Sequence, residues 1–182
     1  MAKKSEAAST HQLVGCEDAL EAFQQFYESN EAVDILKSFD NICESLDIHP
    51  GRFENFFPGL KRALEDRVPY RNKQIFRSLE RKASSRFYGG EAKVLKVMVV
   101  GAGPCGLRTA LESQLLGART IVVEGRDAFD RNNVVHLPKF VIEDLKKIGI
   151  QKNDYLLSLG NVHHMPINIL QAALLKVRML IV

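Results

Sequence analysis

Gly101, Gly103 and Gly106 stand in the order G-x-G-x-x-G where the apolar, β-branched run Val94–Val100 gives way to a helical pattern from Leu107 to Leu116. No other stretch of the chain restricts the fold as narrowly. A glycine at the first position permits a tight turn, one at the second lets a ligand approach the backbone, and one at the third lets the helix pack closely on the strand. Pro104 suits the first helical turn, where its missing N–H removes no bond. A second strand-like run, Thr120–Val123, follows the helix after a short return. Strand, helix and strand make a βαβ unit with parallel strands. The predicted fold class is therefore α/β: an N-terminal helical segment followed by an incomplete Rossmann-like βαβ unit.

The helical segment is read from its apolar spacing. Leu20, Phe23, Phe26 and Tyr27 share one stripe, and Val33, Leu36, Phe39, Ile42, Cys43 and Leu46 share another. The segment HPGRFENFFPGL, with Pro-Gly at both ends, predicts a break, after which a third helix covers Leu60 to Asp66 and ends before Val68-Pro69. A fourth helix turns Ile75, Phe76 and Leu79 inward. The aromatic residues at helical spacing are expected to pack a core. We place a flexible N-terminus at 1–12, the helical region at 13–90 with its boundary at Gly89-Gly90, and the nucleotide-binding segment at 91–182. Beyond the second strand we expect a long polar loop, EGRDAFDRNNVVHLP, a helix from Phe140 to Lys147, a loop through His163-His164, and a final amphipathic pattern, INILQAALLKVRMLIV.

Charge is uneven along the helical region. Residues 17–46 hold eight acids against Lys37, whereas 61–86 hold nine basic residues against three acids. Such a division lets one helix pair lie against the other, or presents a basic face to an acidic partner. The net charge of +3 and the lack of an arginine- or lysine-rich run argue against nucleic acid. No window offers the ~20 apolar residues of a membrane span. Three widely spaced cysteines, Cys16, Cys43 and Cys105, fit a reducing compartment. His136, His163 and His164 lack carboxylate or cysteine partners at ligand spacing, so no metal is expected.

Glu124 ends the second strand, eighteen residues after Gly106. A carboxylate there can accept from ribose hydroxyls and repels a 2′-phosphate, which favours FAD or NAD over NADP at this site. Arg126, Arg131, Asn132 and Asn133 follow closely and supply donors suited to a cofactor extending beyond its adenosine half. Cys105 reads either as a thiol activated by the helix N-terminus or as a small residue set against the cofactor.

The runs VVGAGPCGLRTALESQLLGA and VVEGRDAFDRNNVVHL resemble the FAD-binding segment of the MICAL flavoprotein monooxygenases, and HHMPINILQAALLKV is similar to a later helix of that domain. The resemblance is tight from Val97 to Leu137 and looser elsewhere. It implies an FAD enzyme that uses NADPH and oxygen to oxidise methionines of actin, in the cytoplasm and at the cytoskeleton. Carried onto matching positions, it implies FAD contacts from Cys105, Glu124, Arg126, Arg131 and Asn133 beside the glycines; it assigns no catalytic residue. The chain departs from the pattern in three places. Gly125 replaces a lysine, Pro138 and Lys139 stand where a tryptophan follows His-Leu, and Asn168 replaces an arginine. The second FAD motif and the substrate-side sheet of the family are expected beyond this segment, so the chain reads as the N-terminal portion of such a domain and as incomplete for catalysis. Two other readings stay open: a fragment of an NAD-dependent dehydrogenase, and a non-enzymatic remnant whose basic helices, with Arg77 and Arg81, bind actin.

Overall fold

A computed structural model describes residues 17–50, 53–84, 92–151, 157–159 and 162–181. The expectations for 1–12 and for the Gly89-Gly90 boundary lie outside them.

Four helices come first: α1 over 17–28, α2 at Ala32–Ser45, α3 at Phe53–Leu64 and α4 at Tyr70–Ala83. The first predicted stripe points inward, and so do Phe39, Ile42 and Cys43 of the second. Val33 and Leu36 are exposed and Ile35 is buried in their place, because the inward face of α2 runs through 35, 39 and 42 at a spacing of three to four residues. Phe23, Phe26, Ile35, Phe39, Ile42, Phe56, Leu60, Leu64, Phe76 and Leu79 are all buried. The rings meet in a continuous series, Phe76 to Phe23 at 5.8 Å, Phe23 to Phe26 at 5.9 Å, Phe26 to Phe39 at 6.0 Å and Phe39 to Phe56 at 5.6 Å between centroids. These aromatics form a core, as their spacing predicted.

The break expected at HPGRFENFFPGL is shorter than predicted. α3 begins at Phe53, well before Leu60, and runs through Pro58. An interior proline costs about 3 kcal/mol. Phe56, Leu60 and Leu64 recur every fourth residue on one face and are buried, and each contributes about 1.5–3 kcal/mol on burial. The packed face outweighs the proline. The acids of the basic segment are used close to home: Lys61 pairs with Glu65 and Glu80, Arg77 with Glu65, and Lys73 with Asp66.

The βαβ unit follows as predicted. β1 (Lys96–Val100) pairs in parallel with β2 (Arg119–Val123), in the register Lys96↔Arg119 to Val100↔Val123, and α5 (Pro104–Leu115) connects them. Leu107, Leu111 and Leu115 are buried on α5, which packs on both strands. One face of the strand pair is thereby covered. On the other, Met98, Val100, Ile121 and Val123 are exposed.

The region expected to be irregular contains a second sheet. β3 (Val134–His136), β4 (Leu157–Leu159) and β5 (Val162–Pro166) form an antiparallel sheet in the order β3-β5-β4. Its centre is Met165, fully buried and opposite Val135. The polar loop is therefore interrupted by a strand, and His163-His164 is in a strand rather than a loop. Three-residue strands such as β3 and β4 are too short to show a period, and β3 pairs with β5 about thirty positions away. α6 (Lys139–Lys147) and α7 (Ile167–Met179) complete the chain. The pattern of α7 was read as amphipathic, yet Leu170, Gln171, Ala172, Leu174, Leu175, Val177 and Met179 are all buried. Contacts with α5, α2 and β5 enclose it on several sides.

Candidate functional site

The three glycines occupy positions with three different physical requirements. Gly101 has φ +102°, in the left-handed region that favours glycine, and its N–H donates to the Val123 carbonyl at 2.7 Å, one step beyond the parallel ladder. At Gly106 a Cβ would lie 2.1 Å from the Gly101 carbonyl oxygen and 3.2 Å from Val99, so any side chain would push the helix off the strand. Gly103 is the N-cap of α5, with extended backbone at φ −67° and ψ 168°. A Cβ there would meet no atom within 4 Å. Packing thus accounts for Gly101 and Gly106 and leaves Gly103 facing open space at the positive end of a helix.

Glu124 stands beside this loop at the end of β2. Its Oε2 accepts from the Ala102 N–H at 2.7 Å and its Oε1 from the Arg126 N–H at 3.1 Å. The Ala102 hydrogen bond, helped by those of Arg126 and Gly125 and by the Arg126 charge, holds the carboxyl below its ordinary range. These N–H groups use only part of the acceptor capacity of a carboxylate, and the remainder is available to hydroxyl donors.

The other expected contacts surround this centre less tightly. Arg126 is half-exposed, its guanidinium 4.0 Å from Glu124 and 3.8 Å from Asp130. Cys105 is exposed and unoxidised on the first turn of α5. Arg131 and Asn133 are exposed in the loop before β3. By contrast, burial, with the charges of Asp40 and Glu44 added, pushes the Cys43 thiol up to about 11.

The first turn of α7 joins the two halves of this arrangement, and sequence reasoning missed it. The Ile167 N–H donates to the Asn133 carbonyl at 2.8 Å, and the Asn168 amide donates to Asn132 Oδ1 at 3.3 Å. One turn on, the Gln171 amide donates to the Ala102 carbonyl at 2.9 Å. Residues three and four apart lie on one helix face, so the RNN loop and the glycine loop are anchored to adjacent points of α7. The available signal was a lone glutamine in the otherwise apolar LQAALL.

A charged cluster ties the helical region to the cradle helix. Arg108 on α5 is bound by both oxygens of Asp144 on α6, at 2.6 and 2.9 Å, and also by Glu112, while Lys82 on α4 reaches Glu112 at 2.9 Å. Burial opposes the charge on Arg108, but the hydrogen bonds to Asp144 and Glu112 outweigh it and raise its affinity for the proton. Among the described residues no three His, Cys, Asp or Glu side chains are grouped to hold a metal, and no helix is long and apolar enough to cross a membrane.

No protein-family model matches the chain. It is 37% identical over 161 residues to the F-actin monooxygenase MICAL3 of Homo sapiens, an alignment covering 87% of this chain and 8% of that protein. Over 166 residues it is 37% identical to the F-actin monooxygenase Mical of Drosophila melanogaster, covering 90% of this chain and 4% of the relative. Over 158 residues it is 37% identical to the F-actin monooxygenase mical1 of Danio rerio, covering 85% and 13%. The chain thus spans a small part of the length of the curated relatives it matches.

Proposed function

The chain belongs to the MICAL family of F-actin monooxygenases, and from that premise we propose that it forms the FAD-cradling portion of a flavoprotein monooxygenase. The observation that carries this reading is Gly103. It is a helix N-cap whose missing side chain leaves open space, next to a carboxylate held ionised at the end of β2. Those features suit a pyrophosphate at the N-terminus of α5 and a ribose at Glu124.

In this reading Gly101, Gly103 and Gly106 shape the loop, and Cys105 lies against the cofactor on the first turn of α5. Glu124 accepts from the ribose, while Arg126, Arg131 and Asn133 supply donors along the remainder. Gly125 offers backbone only. When bound, FAD supplies the redox chemistry and the activation of oxygen. NADPH is the proposed reductant and a methionine thioether of actin, at the cytoskeleton, the proposed substrate; the names of the relatives support the F-actin part of this reading. The chain holds the cofactor, and further parts of such an enzyme complete the catalytic site.

The test is a titration of the purified chain with FAD and, separately, with NADH. Quenching of flavin fluorescence with a rise in melting temperature, and no response to NADH, is the expected result. A response to NADH alone would replace this reading with a dehydrogenase cradle.

A further inference from the structure

Ala102 has both of its backbone polar groups held by side chains from distant parts of the chain. Its N–H donates to Glu124, and its carbonyl accepts from the Gln171 amide. Gln171 and Ala102 are both buried, at 8% and 7% exposure. A trans peptide is planar, with its C=O and the following N–H on opposite edges, and no described peptide is cis. A carbonyl drawn toward α7 therefore turns the Gly103 N–H to the side away from Gln171. The same residue, Gly103, has open space where a side chain would stand.

We propose that Gln171 is a positioning residue of the cofactor cradle: by donating to the Ala102 carbonyl it fixes the peptide plane that presents the Gly103 N–H to a dinucleotide pyrophosphate. This inference rests on the FAD reading above. Glu124 fixes the other edge of the same residue, so the loop is set before any ligand arrives. Preorganised donors lose less freedom on binding than donors that must be ordered. α7 also holds the Asn133 carbonyl through the Ile167 N–H, so one helix turn sets the spacing between glycine loop and RNN loop. An apolar side chain at position 171 would fill the volume but leave the Ala102 carbonyl buried without a donor.

Two variants of the full chain, Gln171→Leu and Gln171→Glu, separate positioning from packing. Glutamate has the shape of glutamine but donates only when protonated, and burial beside a carbonyl raises its pKa, so at about pH 6 it donates and at about pH 8.5 it repels. Glu124, held below the ordinary range, stays ionised across this window. FAD affinity is expected to fall about tenfold in Gln171→Leu at both pH values. In Gln171→Glu it should fall at least as far at the higher pH and recover to within about threefold of wild type at the lower. Wild-type affinity in both variants, or a Gln171→Glu defect insensitive to pH, overturns the proposal. Should wild type itself not bind FAD, the cofactor reading fails, and amide exchange of the flavin-free chain decides the positioning role. Protection of the Ala102 N–H then drops about tenfold in Gln171→Glu at the higher pH if Gln171 holds the loop, and unchanged protection overturns it.

Discussion

The helical region and the βαβ unit hold their shapes in different ways. In α1 to α4 the structure rests on apolar side chains that meet one another. Phe23, Phe26, Phe39 and Phe76 are almost wholly buried, each ring within about 6 Å of the next in the series. Around the glycine loop the decisive bonds join side chain to backbone, Glu124 to the Ala102 N–H and Gln171 to the Ala102 carbonyl, and the strand pair leaves Met98, Val100, Ile121 and Val123 exposed. A region stabilised by volume tolerates exchanges that conserve volume. A region specified by peptide orientation tolerates few, even where nothing is crowded.

The largest effect expected from this difference is in the rings. Phe39→Ala removes a fully buried side chain that contacts Phe26 and Phe56 and should cost about 3–5 kcal/mol. Urea denaturation would read this as a lower midpoint. FAD affinity measured at low urea, where the variant remains folded, should stay within about twofold of wild type if the two regions are specified separately. A larger loss of affinity would show that the cradle depends on the shape of the ring core, and the contrast would break.

An intermediate effect belongs to the cluster that joins the regions. Arg108→Leu leaves Asp144 and Glu112 without their shared cation, at about 1–2 kcal/mol because all three groups are partly solvated. The pH dependence carries a definite sign. The Arg108 hydrogen bond, with the Arg108, Lys82 and Lys147 charges, holds the Asp144 carboxyl below its ordinary value. Its contribution is present above the ordinary carboxylate range and is lost as pH falls through the lowered value. Wild type should therefore lose stability in acid more steeply than Arg108→Leu, and melting curves from neutral to strongly acid pH would show the two converging. Parallel curves would mean that Asp144 gains nothing from Arg108.

What the sequence disclosed divides along the same line. The ring core was legible because helical spacing is local, and the glycine loop because the strand it ends and the helix it opens flank it directly in the sequence. Glu124 was legible through its distance from the loop. α3 was misread because Pro58 is a strong local signal, while the burial of Phe56 that overrides it depends on Phe39 across the core. β3 escaped because a three-residue strand has no period, and β5 because His163, His164 and Pro166 hide its alternation and its pairing with β3 lies about thirty positions away. Gln171 escaped for a related reason. Its role is a single bond across 69 positions, and the residue itself looks like any polar position on a helix.

The smallest effect on stability should accompany a large effect on binding. Gly103 has φ −67° and ψ 168°, a conformation open to any residue, and a Cβ there touches nothing. Gly103→Ala should leave stability unchanged or raise it by about 0.4–1 kcal/mol, since alanine restricts the unfolded chain. At Gly106 the same methyl would strike the Gly101 carbonyl, so the two substitutions differ only in what surrounds them. If the open side of Gly103 is where a pyrophosphate comes against the backbone, its added methyl occupies that approach. FAD affinity should then fall by about tenfold, roughly 1.4 kcal/mol, with no loss in melting temperature. Titration beside calorimetry reads both quantities on one sample. A fall in both together would assign Gly103 to the fold, like its two neighbours, whereas a fall in affinity alone separates the residue that receives the ligand from those that build the turn.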